Sequence, residues 1–128
     1  FLDLYNDFEN YINHRNNTST TRKEDLTHRF YTLMMDNYRE HKEVIFYADK
    51  LHVSSKYLSE VVKETSGKSP KDWIIDYSLL EIKELLKNSS LNIQEITIRT
   101  KFLNQSALGR FFKRHTNMSP SEYRESTY

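Results

Sequence analysis

The sequence predicts an all-α fold: about seven helices forming two helix-turn-helix subdomains joined by a long linker helix, with an extra helix at the N-terminus. Three observations predict it. Apolar residues recur at helical spacing almost throughout, and no segment reads convincingly as a strand. Only two Gly and two Pro in 128 residues argue against a turn-rich all-β fold. The chain also repeats itself. Residues 54–73 read SSKYLSEVVKETSGKSPKDW and residues 104–123 read NQSALGRFFKRHTNMSPSEY. At an offset of fifty, Leu58 answers Leu108, Val61-Val62 answers Phe111-Phe112, Lys63 answers Lys113, Ser69-Pro70 answers Ser119-Pro120, and Trp73 answers Tyr123. A repeat this short is not a domain but a supersecondary unit used twice, and its pattern is that of a helix-turn-helix.

The elements follow in order. Phe1, Leu4, Phe8, Tyr11 and Ile12 share one face of an N-terminal helix, and residues 13–21 read as a polar linker. Thr21 with Glu24 forms a capping box that opens a helix to about Tyr38, with Leu26, Phe30, Leu33 and Met34 facing the core. A short helix spans about 44–51. Ser54 caps the next, 55–64, and Gly67 stops it in a left-handed conformation. Ser69-Pro70-Lys71-Asp72 places a cap, a first-turn proline and an acidic third residue at the head of the linker helix, 70–87. Trp73, Ile74, Tyr77, Leu79 or Leu80, Leu85 and Leu86 are its candidates for burial. Asn92 with Glu95 opens a short helix to Thr100. Asn104 opens one through His115, and Ser119-Pro120-Ser121-Glu122 opens the last. The first helix-turn-helix thus lies at about 45–64 and the second at about 93–115. Ala48 and Leu51 match Thr97 and Thr100 at an offset of forty-nine, so the second turn holds one extra residue.

Residues 1–20 are expected to be an N-terminal helix and linker, and 21–128 the folded domain. The chain begins at Phe1 rather than Met, as a piece of a longer protein would. Composition narrows the function. Without cysteine there are no disulfides and no Cys-ligated metal, which fits a cytoplasmic protein. No apolar run approaches the roughly 20 residues that a membrane helix needs. His14, His28, His41, His52 and His115 show no metal-ligand spacing, and no nucleophile–base pattern or glycine-rich phosphate loop occurs. Neither an enzyme nor a cofactor is expected.

Net charge is only +1, but its distribution is uneven. Residues 99–120 hold Arg99, Lys101, Arg110, Lys113 and Arg114 with no acidic residue. In a helix-turn-helix the second helix enters the major groove. Burial of Leu58, Val61 and Val62 turns Ser55, Lys56, Ser59, Glu60 and Lys63 outward; burial of Leu108, Phe111 and Phe112 turns Gln105, Ser106, Gly109, Arg110 and Lys113 outward. Arg forks onto guanine and Gln onto adenine. Glu60 would repel phosphate unless it accepts from a cytosine amino group. The base-contact candidates are Lys56, Ser59, Glu60, Gln105, Ser106, Gly109 and Arg110. Ser54, Ser55, Lys63, Asn104 and Lys113 are the phosphate-contact candidates. A linker helix of about 18 residues, about 27 Å long, would let two rigidly linked units address successive major grooves, about 34 Å apart.

The stretches YADKLHVSSKYLSEVVKETSGKSPKDW, LLKNSSLNIQEI and QSALGRFFKRHTNMSPSEYR resemble the C-terminal DNA-binding domain of AraC/XylS-type transcription regulators. The last stretch is the most specific, and the resemblance covers about 26–124. It implies seven helices in two subdomains, promoter double-stranded DNA as partner, and activation through RNA polymerase. It also implies a sensor or dimerisation part N-terminal to this segment, with residues 1–12 as its tail; the apolar stripe of those residues has as its alternative reading a homodimer contact, helix on helix. The chain departs from the family pattern at Thr97, Thr100, Lys101, Tyr77 and Leu108. Each reading has a plainer rival: Arg110 and Lys113 as a solvated face, and the seventeen aromatics as core rather than stacking platforms. The alternative function is a helical interaction module that docks RNA polymerase or another partner and binds DNA weakly; near-neutral charge and Glu60 favour it, and the basic run at 99–114 opposes it.

Overall fold

Capping side chains set where the helices begin. The computed structural model describes residues 21–127, and within them the chain forms α1 (Arg22–Asn37), α2 (Val44–Lys50), α3 (Ser55–Ser66), α4 (Pro70–Asn88), α5 (Ile93–Arg99), α6 (Gln105–Thr116) and α7 (Pro120–Glu125). There is no strand among the described residues. The helix expected over residues 1–12 lies outside them. Thr21, Ser54 and Ser69 each accept the backbone N–H three residues on, at 3.0, 3.0 and 3.2 Å. Asn104 does the same for Ala107 at 2.8 Å. Asn92 with Glu95 and Ser119 with Glu122 form complete capping boxes. Such caps contribute about 1 kcal/mol each.

The stops correspond as well. Gly67 ends α3 at φ 86°, and Asn117, fifty residues on, ends α6 at φ 63°. Their N–H groups close onto Lys63 O (2.9 Å) and Lys113 O (2.8 Å). The turns inside the two units match at the expected offset of forty-nine. His52 and Lys101 are left-handed, at φ 60° and 64°, and Val53 N–H reaches Ala48 O as Phe102 N–H reaches Thr97 O. The extra residue is therefore Leu103.

The chain divides into two compact units, with the division falling between Asp76 and Tyr77 inside α4. In the first, α1 packs on α3, and Leu26, Phe30, Met34, Leu58, Val61 and Val62 are buried. Phe30 meets Tyr47 edge-on at 5.5 Å, and Trp73 meets Tyr31 edge-on at 5.8 Å. The Trp73 indole N–H donates to Ser66 Oγ at 3.0 Å, tying the start of α4 to the end of α3. In the second unit Ile82, Leu86, Ile96, Leu108 and Phe112 form one cluster, with Tyr123 packed against it. Arg124 Nε donates to Leu86 O at 2.8 Å and so satisfies the end of α4.

Some burial expectations need correction. Leu33, Leu79, Leu80, Leu85 and Phe111 are only partly buried, whereas Thr27 and Tyr31 are core residues. Ile82, outside the expected set, is fully buried. The reason is that α4 serves both units. Trp73 and Ile74, buried at its start, belong to the first unit, whereas Ile82 and Leu86 belong to the core cluster of the second. The departures at Thr97 and Thr100 are also resolved: both are buried, and their hydroxyls donate to Ile93 O and Ile96 O at 2.7 Å. A threonine thus occupies an apolar site without an orphaned hydroxyl. Tyr77 and Leu108 are buried too.

Candidate nucleic-acid interface

The outer faces of α3 and α6 carry the candidate residues because their inner faces are fully used. Leu58 and Val62, like Leu108 and Phe112, are 0% exposed, which fixes the rotation of each helix about its axis. On α3, Lys56, Glu60 and Lys63 are exposed, while Ser55 and Ser59 are half-buried. On α6, Gln105, Ser106, Arg110 and Lys113 are exposed. Ser54 and Asn104 are exposed but act as caps; Ser54 keeps its O–H, and Asn104 its Nδ2, as donors toward solvent.

Gly109 stands in mid-helix, where glycine costs about 1 kcal/mol relative to alanine. A Cβ built there would meet nothing within 4 Å. The fold therefore does not require this glycine. It leaves the α6 backbone bare on the same face as Gln105 and Arg110.

Electrostatics separates the two faces. Around α6, Arg99, Lys101, Arg110, Lys113 and Arg114 are all exposed. On α3, Glu60 and Glu64 interrupt the lysines. Glu64 is taken up by Lys23 at 3.0 Å, and its hydrogen bond holds the Lys23 ammonium above the usual lysine range. Two residues outside the expected set belong to the α6 surface. Gln94, the second residue of α5, accepts from Gln105 Nε2 at 2.8 Å through its Oε1. Leu103, in the turn, is 91% exposed. Periodicity could have found Gln94, since burial of Ile93, Ile96 and Thr97 would turn it outward; the link to Gln105 requires the turn geometry. Tyr57, 42% exposed, is the aromatic that α3 leaves open.

Comparison with known proteins decides the family. A model described as a helix-turn-helix domain, of AraC/XylS type, matches residues 47–126. The chain belongs to the AraC/XylS-type family. Among AraC/XylS-type relatives, the HTH-type transcriptional regulator YobQ of Bacillus subtilis is 32% identical over 77 residues, 60% of this chain and 32% of the relative. The chain spans between about a quarter and two fifths of the length of the first curated relatives it matches. The solved C-terminal domain of AraT, a response regulator from Geobacillus stearothermophilus, aligns with TM-score 0.71 at 25% identity over 84% of this chain and 93% of that one. The DNA-binding domain of AdpA, a global transcriptional factor solved in complex with a target DNA, aligns with TM-score 0.65 at 23% identity, over 77% of this chain and 88% of that one. These likenesses support the all-helical fold with two helix-turn-helix units. No described helix is long and apolar enough to cross a membrane.

Proposed function

We propose that this chain binds double-stranded promoter DNA through α3 and α6, as the DNA-reading part of a cytoplasmic transcription regulator. The observation that carries the reading is the outer face of α6. Gln105 and Arg110 offer forks for adenine and guanine, Gly109 leaves the backbone approachable, and Lys113 lies further along, suited to phosphate. Ser106 completes this set. Lys56, Ser59 and Glu60 form the corresponding face of α3, with Lys63 for phosphate. The free N–H groups behind Ser54, Ser55 and Asn104 suit phosphate as well. AdpA's complex with a target DNA supports this use of the fold. Activation is the regulatory outcome we assign, with RNA polymerase as the partner that the family resemblance implies; relatives such as the lactose operon transcription activator of Staphylococcus xylosus support activation. A sensor or dimerisation part N-terminal to this segment would bring the effector and the homodimer contact.

Titration with duplexes selected from a random pool, across a salt series, tests the proposal. Affinity should fall steeply with salt as phosphate contacts release counterions; a flat response, or no binding at low salt, would sink it. Arg110→Ala should cost about 1–3 kcal/mol and relax preference at one base pair, whereas Lys113→Ala should weaken all sequences alike. Equal losses from both on every sequence would remove Arg110 from base reading.

A further inference from the structure

The contact between Gln94 and Gln105 joins the first helix of the second unit to the first residue of its recognition helix. Both side chains are exposed, yet they are hydrogen-bonded to one another, with Gln105 Nε2 donating to Gln94 Oε1 at 2.8 Å. An unrestrained glutamine amide turns freely, and its two orientations present opposite donor and acceptor patterns. Adenine in the major groove offers its N6 amino hydrogens and the acceptor N7. A fork onto adenine therefore needs Oε1 toward N6 and one Nε2 hydrogen toward N7. The bond to Gln94 consumes one of the two Nε2 hydrogens. In this orientation the second hydrogen and the whole of Oε1 remain, which is the complement of adenine; the reversed pair, with Gln94 Nε2 donating to Gln105 Oε1, is open to the same two amides, so an acceptor-only side chain at position 94 is the discriminating change.

We propose that Gln94 is a positioning residue that holds the Gln105 amide in the orientation that selects adenine. This rests on the DNA-binding reading and deepens it. Gln94 supplies orientation while Gln105 supplies both base contacts. The first unit has no such pair: the matching places hold Ile45, 61% exposed, and Ser55, which cannot fork onto a base. Adenine selection by an oriented amide is thus a property of the second unit alone.

The test uses the full chain and a selected duplex in which each adenine is replaced in turn by guanine or by 7-deazaadenine, which lacks N7. At one position Gln105→Ala should abolish a preference of about fivefold to a hundredfold for adenine. Gln94→Leu removes the acceptor but keeps a similar volume; it should lower that preference roughly fivefold, and should have no further effect in the Gln105→Ala background. Gln94→Glu offers only acceptors and cannot support the reversed amide, so it should keep the preference at or above that of the unsubstituted chain while lowering affinity for every duplex through its charge. Thermal melting followed by helical circular dichroism checks that each variant is folded. The proposal is overturned if Gln94→Leu retains the full adenine preference, if Leu and Glu lose it equally, or if the two single effects add. Failure to bind any duplex would overturn the functional reading itself, and is distinguishable because it appears in the unsubstituted chain.

Discussion

In the first unit Leu58, Val61 and Val62 bury the inner face of α3; in the second, Leu108, Phe111 and Phe112 stand at the same places on α6. The Ser66 hydroxyl donates to Val62 O at 2.6 Å, and the Thr116 hydroxyl donates to Phe112 O at 2.7 Å fifty residues later. The lysine over each ring is not kept in place: Lys68 lies over the Trp73 ring at 4.9 Å, but its counterpart is Met118, and Tyr123 is covered instead by Lys87 of α4 at 5.0 Å. The scaffold is kept down to its helix-end hydrogen bonds. The outer faces are not kept: Ser55, Lys56, Ser59 and Glu60 are answered by Gln105, Ser106, Gly109 and Arg110. Lys63 and Lys113 alone persist among these outward candidates. Packing constrains one side of each helix, and the other side is free to acquire different chemistry.

The sharpest way to break this comparison is through the cores. Val62 and Phe112 are both fully buried at matching positions, but they fill very different volumes. Phe112→Ala should cost about 3–5 kcal/mol, as large-to-small aromatic changes do. Val62→Ala removes less and should cost about 2 kcal/mol. Urea unfolding followed by helical circular dichroism measures both. Equal losses would mean that the second core does not depend on its larger ring, and that the two units are less alike in construction than their hydrogen bonds indicate.

The comparison also shows what could be read in advance. Capping residues are local signals, so Thr21, Ser54, Ser69, Asn92, Asn104 and Ser119 marked helix starts directly. The inner faces of α3 and α6 followed from period. The full extent of the repeat did not. Each unit is a long helix, a short helix and a recognition helix, so α1 and α4 are counterparts. The constant offset of the turns does not reveal it, because the loops after them differ in length: residues 38–43 against residues 89–92. Ile82 is not marked by the stripe that begins at Trp73, because α4 starts in one unit and ends in the other. At the candidate interface, the outward residues were legible because burial of their neighbours placed them. The Gln94–Gln105 bond was not, because it spans a turn whose geometry depends on a left-handed Lys101 and the inserted Leu103.

A smaller effect sharpens the contrast between Ser59 and Gly109, which stand at the same place on the two recognition helices. With no atom within 4 Å of a Cβ at residue 109, Gly109→Ala should raise stability by about 0.5–1 kcal/mol through helix propensity. If the bare backbone serves close approach to the duplex, the same substitution should weaken DNA binding. Melting temperature and duplex affinity should therefore move in opposite directions. A variant that is both more stable and an equally good binder would show that the glycine serves neither fold nor contact.

The smallest expected effect concerns the Ser-Pro caps. In the first unit Asp72 offers its backbone N–H to Ser69 Oγ at 3.2 Å. In the second the reciprocal arm is present, because the Glu122 carboxylate accepts the Ser119 N–H at 2.9 Å. That bond holds the Glu122 carboxyl below the usual glutamate range. A carboxyl depressed on folding adds stability above its unfolded value, and the contribution is lost as pH falls through the folded value. Glu122→Gln keeps an acceptor for the Ser119 N–H but not the charge that favours a helix N-terminus. The unsubstituted chain should thus be slightly more stable than Glu122→Gln at neutral pH. The gap should close as pH drops through and below the ordinary glutamate range. Melting curves of the two proteins from neutral to acid pH would show it. A gap that persists unchanged in acid would mean that the second cap works through shape alone, and that the extra arm adds no electrostatic advantage over the first.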